Sequence, residues 1–301
     1  MTTNATAMVL ASFAADSLAL GAHWIYDTGE IDRKIGRIDS LRRPLPESYH
    51  PTKGKGEFTH YGDQALVLLE TLVKTGEFQL ADFAVSWRTL FSGYHGYIDH
   101  ATATTLENMG RDMPPEQCGS HSSELGGAAR IAPLLFFYRD DRDKLLEAVR
   151  QQTAMTHNHP ATLAGAEFIA KTVWSVLQGA PPIEAMEDAL EEGVADIDLD
   201  IRIRGGLDSA GKETRTTIKK FGQVCGIASA LPGVVHLITT YENDLKTALI
   251  ENVMAGGDSA ARGMVVGMIL GAALGQQAIP QEWLTDMVHY THIMALLTTL
   301  Q

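Results

Sequence analysis

Five short polar segments interrupt an otherwise apolar chain, and they hold most of the side chains whose types could do chemistry. They are Asp16 with His23-Trp24-Ile25-Tyr26-Asp27, then Thr59-His60-Tyr61-Gly62-Asp63-Gln64, Glu124 to Arg130, Thr156-His157-Asn158-His159-Pro160, and Gly256 to Arg262. Imidazole titrates near neutrality and serves as acid, base or metal ligand. His23, His60, His157 and His159 fall in these segments, together with the carboxylates Asp16, Asp63 and Asp258. The plainer role for each histidine, taken singly, is a partly buried hydrogen-bonding residue. Each segment sits at the start or end of a predicted helix. In a bundle such ends can converge on one rim and line a cleft from distant parts of the chain. Signals for other chemistries are missing: there is no GxGxxG, no Walker-type phosphate loop, no HExxH and no GxSxG.

The last segment is the most informative. Ala255-Gly256-Gly257-Asp258-Ser259-Ala260-Ala261-Arg262-Gly263 runs on into MVVGMILGAALG, with no further charge until Glu282. A helix apolar all round belongs in a protein core or a membrane, and the run from Met264 to Leu274 is too short to span a bilayer. The glycine pair lets backbone approach closely and reach positive φ. Asp258 or Ser259 can cap the helix, leaving free N–H groups that face whatever lies in front. Arg262 lies four residues beyond Asp258 and so on the same face. Two roles are open to it: pairing with Asp258, or binding phosphate or carboxylate on a ligand.

The elements that must position these residues read as helices throughout. Apolar periodicity predicts helices over Thr6 to Gly21, Asp63 to Thr75, Leu80 to Phe91, Tyr97 to Met109, Leu125 to Tyr138, Asp141 to Met155 and Ala161 to Gln178. Another opens at Pro181-Pro182 and ends near Gly193, and further helices cover 218–230, 233–240, 242–255, 259–275 and 280–299. Residues 28–60 read as a long irregular loop, and the charged, glycine-containing stretch 196–216 as a flexible surface excursion. No strand alternation, hairpin signal or clean repeat stands out. The expectation is one all-α domain over residues 1–301, with a dozen or more helices. At 45% hydrophobic residues and a mean hydropathy of -0.04, the 301-residue chain has ample core. Its formal net charge of -13 argues against nucleic-acid or anionic-membrane partners. Cys118 and Cys225 stand far apart without a CxxC, which disfavours a disulfide scaffold and a structural zinc site. With no basic segment before the first apolar run, a cytoplasmic location is expected.

Taken in order, ADSLALGAHWIYD, THYGDQALVLLETL, GGAARIAPL, THNHP and AGGDSAARGMVVGMILGAALG resemble the ADP-ribosylglycohydrolase family, and more closely its J-crystallin-like branch. The resemblance covers nearly the whole chain and implies a compact all-α fold. The family's typical enzymes hydrolyse N- or O-glycosidic bonds of ADP-ribose with two Mg²⁺ ions. Those ions are held by a glutamate after a GDALG-like helix end and by TDDT and GGDTDT segments. Here Asp16 matches the aspartate of GDALG, and the following ligand glutamate falls on His23. TDDT falls on His60-Tyr61-Gly62-Asp63, and GGDTDT on Gly256-Gly257-Asp258-Ser259-Ala260-Ala261. Of the family's carboxylate ligands only Asp258 stays in place, with Asp63 one step from where a pair should be. Mg²⁺ wants oxygen ligands in near-octahedral geometry, so a two-magnesium centre is not expected. A single transition metal on Asp258, His23 and His60 is the alternative, since imidazole suits zinc, nickel or iron.

Two functions follow. The first is a glycosidic-bond hydrolase acting on an ADP-ribose-like or other small ribosyl or nucleoside compound, through an oxocarbenium-like state. Asp258 and Asp63 would stand at the reacting carbon, His23 and His60 would act as acid and base, and Arg262 would anchor the ligand. Ser259, Asp16 and Tyr61 would contact the substrate or support those that do, and the resemblance puts His157 and His159 beside the pocket. The second is a non-catalytic ligand-binding or crystallin-like structural descendant. Reactive residues at the replaced ligand positions favour a retained but altered site. His23, His60, Asp63 and Asp258 are expected to line one cleft, and this site assignment fails if Asp258 lies beyond the reach of a ligand shared with both histidines.

Overall fold

Helix α1 (Asn4–Ala19) is buried on every side apart from its first residue, and Thr3 caps it by accepting the Thr6 N–H at 3.2 Å. Its main partner lies at the other end of the chain. In the computed structural model, which describes residues 3–300 of the expected 1–301 domain, α1 packs antiparallel against the 259–274 helix. Gly263 faces Ala15, Gly267 faces Ala11 and Gly271 faces Ala7. A Cβ at Gly267 would stand 2.5 Å from the Ala11 carbonyl oxygen, so the two backbones are almost in contact. This places the start of the later helix, with Asp258, beside the end of α1, with Asp16 and the HWIYD segment. The contact is therefore what assembles the site.

Between these two, capping residues set most of the boundaries. Asp27 caps α2 (Thr28–Lys34), a short helix inside the stretch expected to be irregular. Thr59 caps α3 (His60–Thr75), three residues earlier than the apolar periodicity places it, and Gly76 ends it at φ 74°. Helix α4 (Leu80–Phe91) has the expected bounds, and α5 (His100–Gly110) starts at Asp99, which accepts the Thr102 N–H at 2.6 Å. The helix expected over Leu125 to Tyr138 is two, α6 (Gly126–Ala129) and α7 (Ala132–Phe137), divided at Arg130-Ile131. Helices α8 (Arg142–Ala154), α9 (Pro160–Leu177) and α10 (Pro182–Glu191) follow as expected.

Three further expectations need correction. The supposed surface excursion contains α11 (Ile197–Leu207), capped by Asp196, which buries Leu199, Ile203 and Gly206. After α12 (Thr214–Phe221) comes α13 (Ile227–Thr240), a single helix that runs through Pro232 where two were expected. Helix α14 (Leu245–Met254) then leads through the glycine pair into α15 (Ser259–Leu274). The expected 280–299 helix is α16 (Gln281–Asp286) and α17 (Tyr290–Thr299). The break occurs where Val288 donates its N–H to the Gly56 carbonyl at 2.9 Å and the 54–57 loop docks against Asp286. Among the described residues there is no strand, only isolated bridges at Ser120–His157 and Glu124–Gly226. No helix among them is long and apolar enough to cross a membrane.

Candidate functional site

The glycine pair does what its residue type suggests. Gly256 and Gly257 have φ of 71° and 70°. A Cβ there would meet the Ile25 carbonyl at 2.6 Å and the Gln223 carbonyl at 2.2 Å. The freed space lets three segments knit together. Trp24 donates its N–H to Gly257, Gly257 to Ile25, and Asp258 to Gln223, all within 2.8–2.9 Å. Asp258 ends up fully buried as the cap of α15, accepting from Ala261 N–H at 3.2 Å and from the Tyr61 hydroxyl at 3.2 Å. His23 Nδ1 stands 3.7 Å from its carboxylate. Burial pushes the Asp258 carboxyl above the usual carboxylate range, against the lowering pull of Arg262.

Around this carboxyl the rings pile up. His23 stacks on Trp24 at 4.3 Å and on His50 at 5.3 Å, while His60 lies 3.9 Å from Tyr61 and 6.4 Å from His23. His60 Nε2 lies 3.0 Å from Asp99 Oδ2, and against desolvation, which raises it, this neighbour holds the Asp99 carboxyl below the usual carboxylate range. The dinuclear magnesium centre implied by the resemblance does not fit these residues. Imidazole and phenol groups stand where its carboxylates would be, and Asp258 already serves Tyr61 and the α15 N-terminus. Among the described residues, no group of three or more His, Cys, Asp or Glu side chains is arranged to hold a metal.

Desolvation also gives the stack a pH signature. Burial, then the nearby His60 and Lys53, pushes His50 down to about 3. Folded, the ring stays neutral; unfolded, it takes a proton near 6.5. Its contribution to stability is therefore complete above pH 6.5 and is lost as pH falls from there toward 3, by about 1.4 kcal/mol per pH unit. Replacing His50 with Gln should remove about one proton from the slope of unfolding free energy against pH between 6 and 4. An unchanged slope in urea titrations across that range would place His50 in solvent.

The expected site residues part company here. His23, His60, Tyr61 and Asp258 come together and all are buried; His23 alone among them borders an open pocket, of about 340 Å³, shared with Trp24, Tyr26 and Tyr49. Asp63 is engaged elsewhere, by Lys53 Nζ at 2.5 Å and by the Tyr94 hydroxyl at 2.5 Å. Asp16 sits behind the site, accepting from the Thr59 N–H at 2.8 Å and hydroxyl at 2.6 Å, and burial raises its carboxyl to about 7. Ser259 is buried in the first turn of α15, where its carbonyl accepts from Asn252 at 2.7 Å. Arg262, expected as a ligand anchor, is fully buried and holds the scaffold. It donates to Asn252 Oδ1 at 3.1 Å and to the Gly256 carbonyl at 2.6 Å. His159 caps α9 through the Ala161 N–H, and His157 is buried behind the 120–124 loop.

That loop borders the open space. A cavity of about 600 Å³ is lined by Tyr26, His100, Ser120, His121, Ser122, Ser123, Glu124 and Cys225. Leu125 N–H donates to the Cys225 carbonyl at 2.8 Å and Ile227 N–H to Ser123 at 2.7 Å, so two distant loops form one wall. Cys225 lines the same cavity, and burial, then the charge of Asp258, raises the pKa of its thiol. Glu124 Oε2 lies 3.8 Å from His157 Nε2. The glycines of GGAAR explain themselves here: a Cβ at Gly126 would strike the Tyr61 ring at 2.4 Å, and one at Gly127 the His157 ring at 2.7 Å. Glu124, Cys225, His50 and Asp99 are absent from the sequence-derived site. Glu124 opens the polar segment that ends at Arg130, but no local spacing signals that it meets Cys225.

Comparison with known proteins accords with this architecture. The ADP-ribosylglycohydrolase family model matches residues 2–300. Crystallin J1A of Tripedalia cystophora is 25% identical over 298 residues, covering 94% of this chain and 91% of its own. The human ADP-ribosylhydrolase ARH3 is 23% identical, covering 86% of this chain and 82% of its own. A solved ADP-ribosylglycohydrolase-related protein complex superposes with a TM-score of 0.79 at 23% identity, covering 99% of this chain and 97% of that one, which shows the shared fold. The chain belongs to the ADP-ribosylglycohydrolase family.

Proposed function

We propose that this chain is a glycosidic-bond hydrolase for a small ribosyl compound, working at the 600 Å³ cavity without a dinuclear magnesium centre. The observation that carries this reading is that Glu124 and three serines line the cavity, with the buried His157 imidazole 3.8 Å from the carboxylate. Hydroxyls and a carboxylate suit the polyol edge of a ribose. A carboxylate near the anomeric carbon can stabilise the developing oxocarbenium charge and take a proton from the attacking water. His100 and His121 are the cavity's candidate donors to the departing group. Asp258, fully buried, caps α15 and accepts from the Tyr61 hydroxyl rather than meeting substrate.

The test is hydrolysis of an ADP-ribosylated peptide, ADP-ribose glycosides and ribonucleosides by the purified chain, in EDTA and in magnesium. Turnover that survives EDTA and falls about 100-fold or more in Glu124→Gln is expected. Turnover that needs magnesium, or is unchanged in the variant, would sink the proposal. A second reading, a ligand-binding or crystallin-like protein without turnover, is favoured by one observation: rings fill the place of the family's metal centre. Binding of ADP-ribose with no hydrolysis of any of these compounds would select it.

A further inference from the structure

The cavity carboxylate has a built support behind it. Arg130 is 2% exposed, and its guanidinium is held by Gln64 Oε1, which also accepts from Trp87 Nε1 at 2.7 Å. Its Nη2 reaches the Thr156 hydroxyl at 2.6 Å, and the same hydroxyl lies 2.8 Å from His157 Nδ1. A guanidinium has donors only, so Thr156 must accept from Arg130. Its own proton then has His157 Nδ1 as its partner, and leaving a buried hydroxyl proton unpaired would be costly. Nδ1 therefore accepts. Burial keeps the ring neutral, so the one ring proton sits on Nε2, facing Glu124 Oε2 across 3.8 Å.

We infer that Arg130 and Thr156 fix His157 in the Nε2–H tautomer, and that His157 is the positioning residue that aims the Glu124 carboxylate into the cavity. The consequence for catalysis rests on the hydrolase reading above; the tautomer does not. Two further features hold the arrangement rigid. The His157 ring is pinned by Gly127, where even a methyl would collide. The cavity loop is clamped to the same segment, Ser120 donating its N–H and hydroxyl to the Thr156 carbonyl at 3.0 and 2.8 Å, and Asn158 N–H donating to Ser120 at 2.8 Å. Thr156 thus fixes the loop with its backbone and the ring with its side chain. If Nε2 lacked the proton, two acceptors would face each other and the carboxylate would turn away.

Long-range proton–nitrogen spectra of the full chain with labelled histidine test this without substrate. His157→Gln identifies the His157 signals among the eleven histidines. The expected pattern is an acceptor-type Nδ1 and a protonated Nε2 in wild type. In Thr156→Val, which keeps the shape and loses the hydroxyl, both tautomers should appear; Thr156→Ser should restore one. A wild-type Nδ1–H tautomer, or an unchanged pattern in Thr156→Val, would overturn the inference, and the wild-type spectrum decides even if the variant does not fold. Where hydrolysis is measurable, Thr156→Val should lower kcat by roughly fivefold to tenfold, the weight of one hydrogen bond, with KM little changed. A tautomer as expected beside a chain that hydrolyses nothing would reject the hydrolase reading and leave the positioning of Glu124 standing.

Discussion

Replacing Arg262 with alanine should destabilise the protein by about 3–5 kcal/mol, because it removes one member of a buried, hydrogen-bonded polar set. The guanidinium donates to Asn252 and to the Gly256 carbonyl, so its loss leaves those acceptors unpaired and opens a cavity. The loss should also grow with pH. Arg262 holds the Asp258 carboxyl down against the raising effect of burial. Without it the folded-state pKa moves further above the unfolded value, and a group so raised loses stability as pH climbs through the interval between the two. Urea unfolding of wild type and variant at pH 5 and pH 8 measures both effects. A deficit below about 1 kcal/mol at both values would return Arg262 to the solvated, ligand-anchoring role that its sequence position also allows.

Gly257→Ala should cost about 3 kcal/mol or more, most of it from collision rather than backbone preference. At φ 70° an alanine Cβ would lie 2.2 Å from the Gln223 carbonyl oxygen, a backbone atom already bonded to the Asp258 N–H. The control is Gly76→Ala at the end of α3, where φ is 74° but nothing lies within 4 Å of the added methyl. There only the left-handed conformation is penalised, by about 1–2 kcal/mol. Equal losses in the two variants would mean that positive φ alone explains the glycine. A larger loss at Gly257, with a weakened ligand response, would tie the close approach to the shape of the cavity wall.

Long-range contacts decide what the charged residues in and beside the matched motifs do here. Asp63 and Arg262 are both drawn into scaffold pairs, one at the base of α3 and one beneath the glycine loop. Glu124, from another loop, lines the 600 Å³ cavity.

Much of the fold was legible from local chemistry. The capping carboxyl and glycine pair of α15 and the glycine end of α3 follow from residue types that only certain backbone states accept, and the bounds of α4 from its apolar periodicity. Helix α11 was hidden because its outward side carries Asp198–Arg202 and Asp200–Arg204 pairs, each at 2.7 Å, which read as a solvated excursion. Its burial depends on α13, a partner that no short window contains. The convergence of His23, His60 and Asp258 was foreseeable as helix ends meeting, but their depth was not. Whether a charged side chain faces water or a neighbour depends on which helices touch, and here the near-contact of α1 with α15 sets that. The same holds for Arg262, whose acceptors are a side-chain amide of α14 and a loop carbonyl. It holds equally for Glu124, which reaches Cys225 and His157 only once three separate loops are stitched together by backbone hydrogen bonds. Local sequence specifies conformation through sterics and capping; the partners of a polar group come from packing between distant segments, and only tertiary structure decides those.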